Sequence, residues 1–312
     1  MKVIFMGTPD FSVGTLEALV DAGHEVVLAV TQPDKPKGRG KEMQFTPVKE
    51  CALKFNIPVY QPRRVREPEC IEELRKYEAD IMVVVAFGQI LPKEILEMCE
   101  YGCVNVHASL LPKYRGAAPI QWAIIDGEEV TGVTTMQMDE GLDTGDMLLK
   151  TEIPMDSKET GGSLHDKLSE AGAKLCVETL KALEEKTVTP IPQGETTTAY
   201  AKMLDKQLGN IDWSKDARAI ERLIRGLSPW PSAYTNWNEK VMKIWDASAI
   251  EEIEIAESKA PGTIVKVEKD AFYVQTGDGF LKVCELQIPG KKRMDAGAFM
   301  RGYQVREGEI LG

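Results

Sequence analysis

Nowhere in the 312 residues does an apolar run approach the roughly 18 residues that a membrane-spanning helix needs. The opening stretch, Met1-Lys2-Val3-Ile4-Phe5-Met6-Gly7, is apolar but too short for the core of a signal peptide. A cytoplasmic protein with no membrane partner is therefore expected. Paired cysteine motifs are missing too: Cys51, Cys70, Cys99, Cys103, Cys176 and Cys284 are scattered without a Cys-x-x-Cys, which fits reduced thiols. Cys99, Cys103 and His107 lie close together, but a strand between them points the groups apart and no paired fourth ligand follows, so no metal is expected.

Three glycine motifs are also absent. The first turn, Gly7-Thr8-Pro9-Asp10-Phe11-Ser12, lacks the Gly-x-Gly-x-x-Gly that cradles a dinucleotide. No Gly-x-x-x-x-Gly-Lys-Ser/Thr loop occurs for a nucleoside triphosphate, and no Gly-x-Ser-x-Gly elbow for a covalent acyl-enzyme.

What is present is ordinary for a soluble globular chain, with 43% hydrophobic and 28% charged residues. The net charge of −11 argues against unselective nucleic-acid binding. It is unevenly spread: residues 206–312 carry 16 basic and 16 acidic residues, so the whole acidic excess lies before them. A neutral second part can still hold phosphate through local clusters.

Continuous apolar segments at Lys2 to Met6, Val26 to Thr31, Ile57 to Tyr60 and Ile81 to Ala86 alternate with helical periodicity, as in a doubly wound, mostly parallel α/β sheet. Strands near Val130–Met138 and Met147–Ile153 and a helix from Leu164 to Leu183 complete this part. Residues from Lys186 to Lys202, with Pro190, Pro192, Gly194 and a threonine run, read as an extended linker. A helix from Ala217 to Arg225 and several short strands beyond it suggest a small barrel. The expected organisation is residues 1–185, a linker at 186–205, and 206–312.

The most informative segment is Gly102-Cys103-Val104-Asn105-Val106-His107-Ala108-Ser109-Leu110-Leu111-Pro112, followed later by Gly141-Leu142-Asp143-Thr144-Gly145-Asp146. Residues two apart share a strand face, so Asn105 and His107 project together, near the carboxyl end where open α/β sheets bind ligands. An amide N–H and an imidazolium N–H suit an oxyanion, and a carboxylate such as Asp143 can accept a proton or orient the ring. The set suits acyl transfer to an amine by direct attack.

These motifs resemble those of the folate-dependent formyltransferases. Gly7-Thr8-Pro9-Asp10-Phe11, Thr31-Gln32-Pro33-Asp34 with Gly38-Arg39-Gly40-Lys41, Val83 to Gly88, Asn105 to Pro119, Gln137-Met138-Asp139, Gly141 to Asp146 and Arg225 to Pro231 extend the likeness over essentially the full length. Within the family it resembles the members that act on methionyl initiator tRNA. The resemblance implies a Rossmann-like catalytic domain and an oligonucleotide-binding-type (OB-type) β-barrel that helps hold tRNA. It implies 10-formyltetrahydrofolate as donor, lying against Phe87, Gly88, Gln89, Ile90 and Leu91 and against Ser109, Leu110, Leu111 and Pro112. Asn105, His107 and Asp143 become the catalytic trio, with Asp143 keeping His107 charged and oriented.

The Pro33–Met43 stretch, carrying Lys35, Lys37, Arg39 and Lys41, reads as a mobile basic finger for the acceptor end of tRNA. A second basic stretch holds Lys291, Lys292 and Arg293, with Arg301 and Arg306 beyond, and suits backbone tracking. The nearest alternative acceptor is a nucleotide-linked amino sugar, which does not need the basic finger. A monomer is the default.

Overall fold

The computed structural model describes residues 1–37, 42–255 and 257–312. In chain order its strands are β1 (Lys2–Gly7), β2 (Glu25–Val30), β3 (Lys35–Lys37), β4 (Glu42–Gln44), β5 (Val59–Tyr60), β6 (Ile81–Val85), β7 (Cys103–His107), β8 (Val130–Gln137) and β9 (Met147–Pro154). They are followed by β10 (Ala233–Trp237), β11 (Lys240–Ile250), β12 (Ile264–Val267), β13 (Phe272–Gln275), β14 (Phe280–Gln287) and β15 (Met294–Asp295). The helices are α1 (Val13–Asp21), α2 (Pro47–Lys54), α3 (Pro68–Arg75), α4 (Lys93–Leu96), α5 (Pro119–Asp126), α6 (Gly161–Glu184), α7 (Ala217–Gly226) and α8 (Ala296–Gly302).

The chain divides into two compact units. The first comprises Met1–Pro119, Val130–Pro154 and His165–Ala201. Its seven-stranded sheet runs β5-β2-β1-β6-β7-β8-β9, parallel through β7 and antiparallel across β7/β8 and β8/β9. The run Ile81-Met82-Val83-Val84-Val85 is buried at every position because β6 lies inside the sheet with both faces covered. β9, at the edge, instead alternates between more and less exposed residues. α2 starts where Thr46 caps it, its hydroxyl accepting from the Lys49 N–H, with Pro47 at the first helical position.

The second unit gathers Lys202–Gly312 with two chain-distant pieces, Ile120–Glu129 and Met155–Leu164. Those pieces are held by α7: Arg222 Nε donates to the Ile125 carbonyl at 3.0 Å, and Arg225 Nη1 to that of Glu159 at 2.8 Å. α7 begins at Asp216, whose carboxylate caps the Ala219 N–H, and buries Ile220 and Ile224 at helical spacing. The antiparallel sheet runs β10-β11-β14-β13-β12, with β15 beside β14. Residues 308–312 join its two edges. The Gly308 and Leu311 N–H groups donate to the carbonyls of Ile264 and Gly262, and the Gly312 N–H to that of Asn236. This supplies the closure a barrel requires. Trp213, Trp237, Phe272 and Phe299 fill the interior.

Within the Pro33–Met43 stretch and just beyond it, β3 and β4 pair as the two arms of a hairpin, from Lys35↔Gln44 to Lys37↔Glu42. The stretch read as a linker is bonded to the first unit as far as Ala201, through a mutual backbone pair between Ile191 and Met147 and through Ala201 to Arg115 and Ala117.

Candidate active site

β7 pairs with β6 on one side and β8 on the other, setting Asn105 opposite Val84 and Met136 and His107 opposite Thr134. Asn105 donates one amide hydrogen to the Val84 carbonyl at 3.2 Å. Its Oδ1 is buried with no donor. Such an orphan costs about 1–3 kcal/mol and persists where the structure is organised around something other than its own stability.

His107 is buried, and its Nε2 lies 2.9 Å from the Tyr114 carbonyl. A carbonyl only accepts, so Nε2 carries a hydrogen and Nδ1 is the nitrogen left for chemistry. Nδ1 stands 3.9 Å from Asp143 Oδ1, an ion-pair separation rather than a hydrogen bond. The other carboxylate oxygen of Asp143 accepts from the Gly116 N–H at 2.9 Å.

Asp143 adopts the left-handed region at φ 56°, which Asp tolerates better than most residues. Its turn is braced from within by Asp139, whose carboxylate accepts from the Thr144 hydroxyl at 2.8 Å and the Gly141 N–H at 3.0 Å. Gly145 is required there: a Cβ would sit 1.8 Å from the Gln137 carbonyl oxygen. On the opposite side, Gln193 Nε2 donates to the carbonyls of Asp143 at 2.9 Å and Gly145 at 2.7 Å.

The loop after β7 is equally fixed. Ser109 is fully buried, its hydroxyl donating to the Lys113 carbonyl at 2.7 Å, and Thr134 ties it to β8 by donating to the Ser109 carbonyl and accepting from the Leu111 N–H. Leu111 is also buried, and Lys150 Nζ donates to its carbonyl. Burial pushes the Lys150 ammonium below its ordinary range. Leu110 and Pro112 are half-buried.

In the other predicted donor loop the Phe87 and Leu91 side chains belong to the core. The Phe87 carbonyl already accepts from Thr8 Oγ1 and Gln32 Nε2, both at 3.2 Å, and Gln89 Oε1 accepts from the Val65 N–H. Ile90, 71% exposed, is the apolar side chain this loop offers to a ligand. Gly88 takes φ 81°, and a Cβ there would lie 3.8 Å from Gln32 Nε2, an ordinary contact, so its backbone conformation rather than space calls for glycine.

Of the predicted basic residues, Lys35 is exposed on β3, whereas Arg39, Lys41 and the Lys37 side chain lie outside the described residues. Lys291 and Lys292 are exposed. Arg293 is engaged: it pairs with Glu285 and lies 5.3 Å from the Trp245 ring centroid, and the Glu285 contact raises its pKa. Among the described residues no group of His, Cys, Asp and Glu is arranged to hold a metal, and no helix is long and apolar enough to cross a membrane. Arg115, Tyr114, Thr134 and Gln193, none of them singled out in the sequence, complete the surroundings of the trio.

An amide with a buried oxygen, an imidazole with one nitrogen committed and a carboxylate in a hydrogen-bonded turn, grouped beside the carboxyl end of β7, are groups of the kind that acyl transfer can use. Comparison with known proteins agrees. Residues 1–180 match the formyl transferase family model and residues 203–304 that of the formyl transferase C-terminal domain. The chain belongs to the formyl transferase family.

It is 62% identical over 311 residues to the methionyl-tRNA formyltransferase of Agathobacter rectalis, covering 100% of this chain and 99% of that protein. It is 53% identical to that of Clostridioides difficile, covering both chains completely. Among solved structures, the N-formyltransferase of Helicobacter canadensis in complex with folinic acid and dTDP-3-aminofucose aligns with a TM-score of 0.68 at 20% identity, over 91% of this chain and 98% of that one. Aquifex aeolicus HypX in complex with tetrahydrofolic acid aligns at 0.64 and 18% identity, over 100% of this chain and 50% of that one. These two likenesses are of fold.

Proposed function

We propose that this protein transfers the formyl group of 10-formyltetrahydrofolate to the free α-amino group of methionyl initiator tRNA, giving the N-formylmethionyl-tRNA used to begin translation. Full-length similarity to proteins of that activity supports the substrates. The observation that carries the chemistry is His107, whose Nε2 is spent on Tyr114 so that Nδ1 and the Asp143 carboxylate are left facing one another.

The folate supplies an activated formyl carbon on a nitrogen leaving group. The exposed Ile90, the backbone at Gly88 and the braced 109–112 loop are the groups that would hold it. The remaining hydrogen of Asn105 Nδ2 and the Nδ1–H of imidazolium His107 donate to the oxyanion that develops when the amine attacks. Asp143, fixed through Gly116, offsets the His107 charge and takes the proton that the attacking amine must lose. His107 gives its Nδ1 proton to the departing nitrogen, and the proton on Asp143 then restores it. One C–N bond forms, one breaks, and no water is consumed.

Lys35 and the Lys291-Lys292 pair supply positive charge for the tRNA backbone. The test is formyl transfer from 10-formyltetrahydrofolate to methionyl initiator tRNA, methionyl elongator tRNA and a UDP-linked amino sugar, with a control lacking acceptor. Transfer confined to the initiator tRNA is the expected result. Transfer to the sugar would overturn the acceptor assignment, and formate release without acceptor would overturn transfer itself.

A further inference from the structure

Residues 191–201 lie against both ends of the trio. At the carboxylate end, the Gln193 amide spans the Asp143 turn, donating to the carbonyls of residues 143 and 145. Its Oε1 accepts from Arg115 Nε at 2.9 Å, while an Arg115 Nη donates to the Gly194 carbonyl at 3.1 Å. At the imidazole end, Thr198 Oγ1 accepts from the Tyr114 N–H at 2.8 Å, and Tyr114 is the residue whose carbonyl holds His107. Gly116, which donates to Asp143, has φ 124°, and the Ala201 carbonyl and Tyr200 ring occupy the place of its missing side chain, a Cβ there lying 2.6 Å from the former.

The Asp143 side chain must reach His107 from a left-handed backbone, and its turn has polar carbonyls pointing outward. Both outward carbonyls end on one side-chain amide, and that amide is itself oriented by Arg115. A glutamine with its oxygen and both nitrogen hydrogens committed, aimed at the backbone of a functional carboxylate, serves to set that carboxylate's position.

We infer that Gln193, clamped by Arg115, is a positioning residue for formyl transfer, fixing the Asp143 carboxylate against His107 without touching either substrate. The inference rests on the reaction proposed above. It also gives the 191–201 strap a part in the reaction that a simple connector would not have.

The experiment uses the full-length protein and measures kcat, KM for both substrates, the pH–rate profile and Tm. Gln193→Ala is expected to lower kcat by about 10–100-fold, the scale of a misplaced catalytic group, with both KM values within about threefold of wild type and a displaced acidic limb in the pH–rate profile. Gln193→Met, which keeps the side-chain volume and removes the hydrogen bonds, is expected to behave the same way.

Asp143→Asn is made alone and with Gln193→Ala. Because Gln193 acts through Asp143, the double variant is expected to be no slower than Asp143→Asn alone. Independent, multiplying losses would overturn the inference. So would a kcat within twofold of wild type, a fall in Tm with kcat and pH profile unchanged, or failure of both Gln193 variants to fold, each of which marks a merely structural contact. If the wild-type protein transfers formyl to none of the acceptors, the proposed reaction falls and the inference with it; an active wild type with an unimpaired Gln193→Ala removes the inference alone.

Discussion

The Asp143 turn and the 291–293 tract are both polar loops, and they are built on opposite plans. In the turn, the Asp143 carboxylate, the Asp143 and Gly145 carbonyls, the Thr144 hydroxyl and the Gly141 N–H each have a named partner. In the tract, Lys291 and Lys292 stand exposed, while Arg293 is tied down by Glu285 and Trp245. The first plan holds the turn's polar atoms by hydrogen bonds of the protein's own, the kind of preorganisation that charge stabilisation in a reaction requires. The second presents two exposed ammonium groups to solvent, which suffices to attract a phosphate backbone. Changes in the turn should therefore act on turnover, and changes in the tract on affinity and its salt dependence.

The largest effect is expected at the trio. Asn105→Ala should reduce kcat by about 10²–10³-fold, the usual cost of one oxyanion donor, with little loss of Tm because removing the orphaned Oδ1 offsets the lost hydrogen bond to the Val84 carbonyl. Steady-state formyl transfer with a thermal melt checks both parts. Unchanged turnover in a folded variant would remove Asn105 from the mechanism.

Gly145→Ala should follow closely. The added methyl would meet the Gln137 carbonyl at 1.8 Å and the Asp139 N–H nitrogen at 3.2 Å, so the turn must shift. Misplacement of about 1 Å costs on the order of 10²-fold in rate, and Tm should fall as well. Normal kcat here would show that the turn's rigidity is irrelevant to the reaction.

In the basic tract the expected changes are smaller and different in kind. Lys291→Ala with Lys292→Ala should raise KM for tRNA severalfold, leave kcat intact, and flatten the salt dependence by roughly 0.7–0.9 in slope for each phosphate that is no longer neutralised. Arg293→Ala should change tRNA affinity less and stability more, because its charge is already committed to Glu285. A fall in kcat from the double lysine variant would erase the distinction between the two loops.

The sequence made the first unit's sheet legible because buried parallel strands are written as continuous Val/Ile runs, such as Ile81 to Val85. Asn105 and His107 were legible for a related reason, since the period of two in a strand places them together. Gln193 was not. Its partner lies 50 residues away, in a stretch whose Pro190, Pro192 and Gly194 erase any periodicity. The β3–β4 hairpin was hidden by its three-residue strands and its proline, and the place of the Phe87 and Leu91 side chains in the core was hidden because burial of a loop side chain leaves no local sequence signal. Grouping of 120–129 and 155–164 with the second unit depends on the long-range hydrogen bonds of Arg222 and Arg225, which no local pattern encodes.

The smallest expected effect concerns the base of the hairpin, which resembles the turn rather than the tract. Burial raises the Asp34 carboxyl, but hydrogen bonds from Lys49 and Gln61 more than offset it and hold its pKa below the ordinary 3.8. A carboxylate depressed in this way adds stability that is fully present above its unfolded value and is lost as pH falls through the folded one. Lys49→Met should cost about 1.5 kcal/mol at neutral pH, the scale of a hydrogen bond to a charged group. The ammonium also lies 3.9 Å from the Phe45 ring centroid, a second source of stabilisation that does not depend on Asp34. Acid denaturation separates them: if Asp34 dominates, the gap between wild type and Lys49→Met holds down to about pH 4 and closes below it. A gap that persists unchanged to the acid limit would transfer the stabilisation to Phe45, leaving the hairpin base anchored by the ring rather than by the carboxylate.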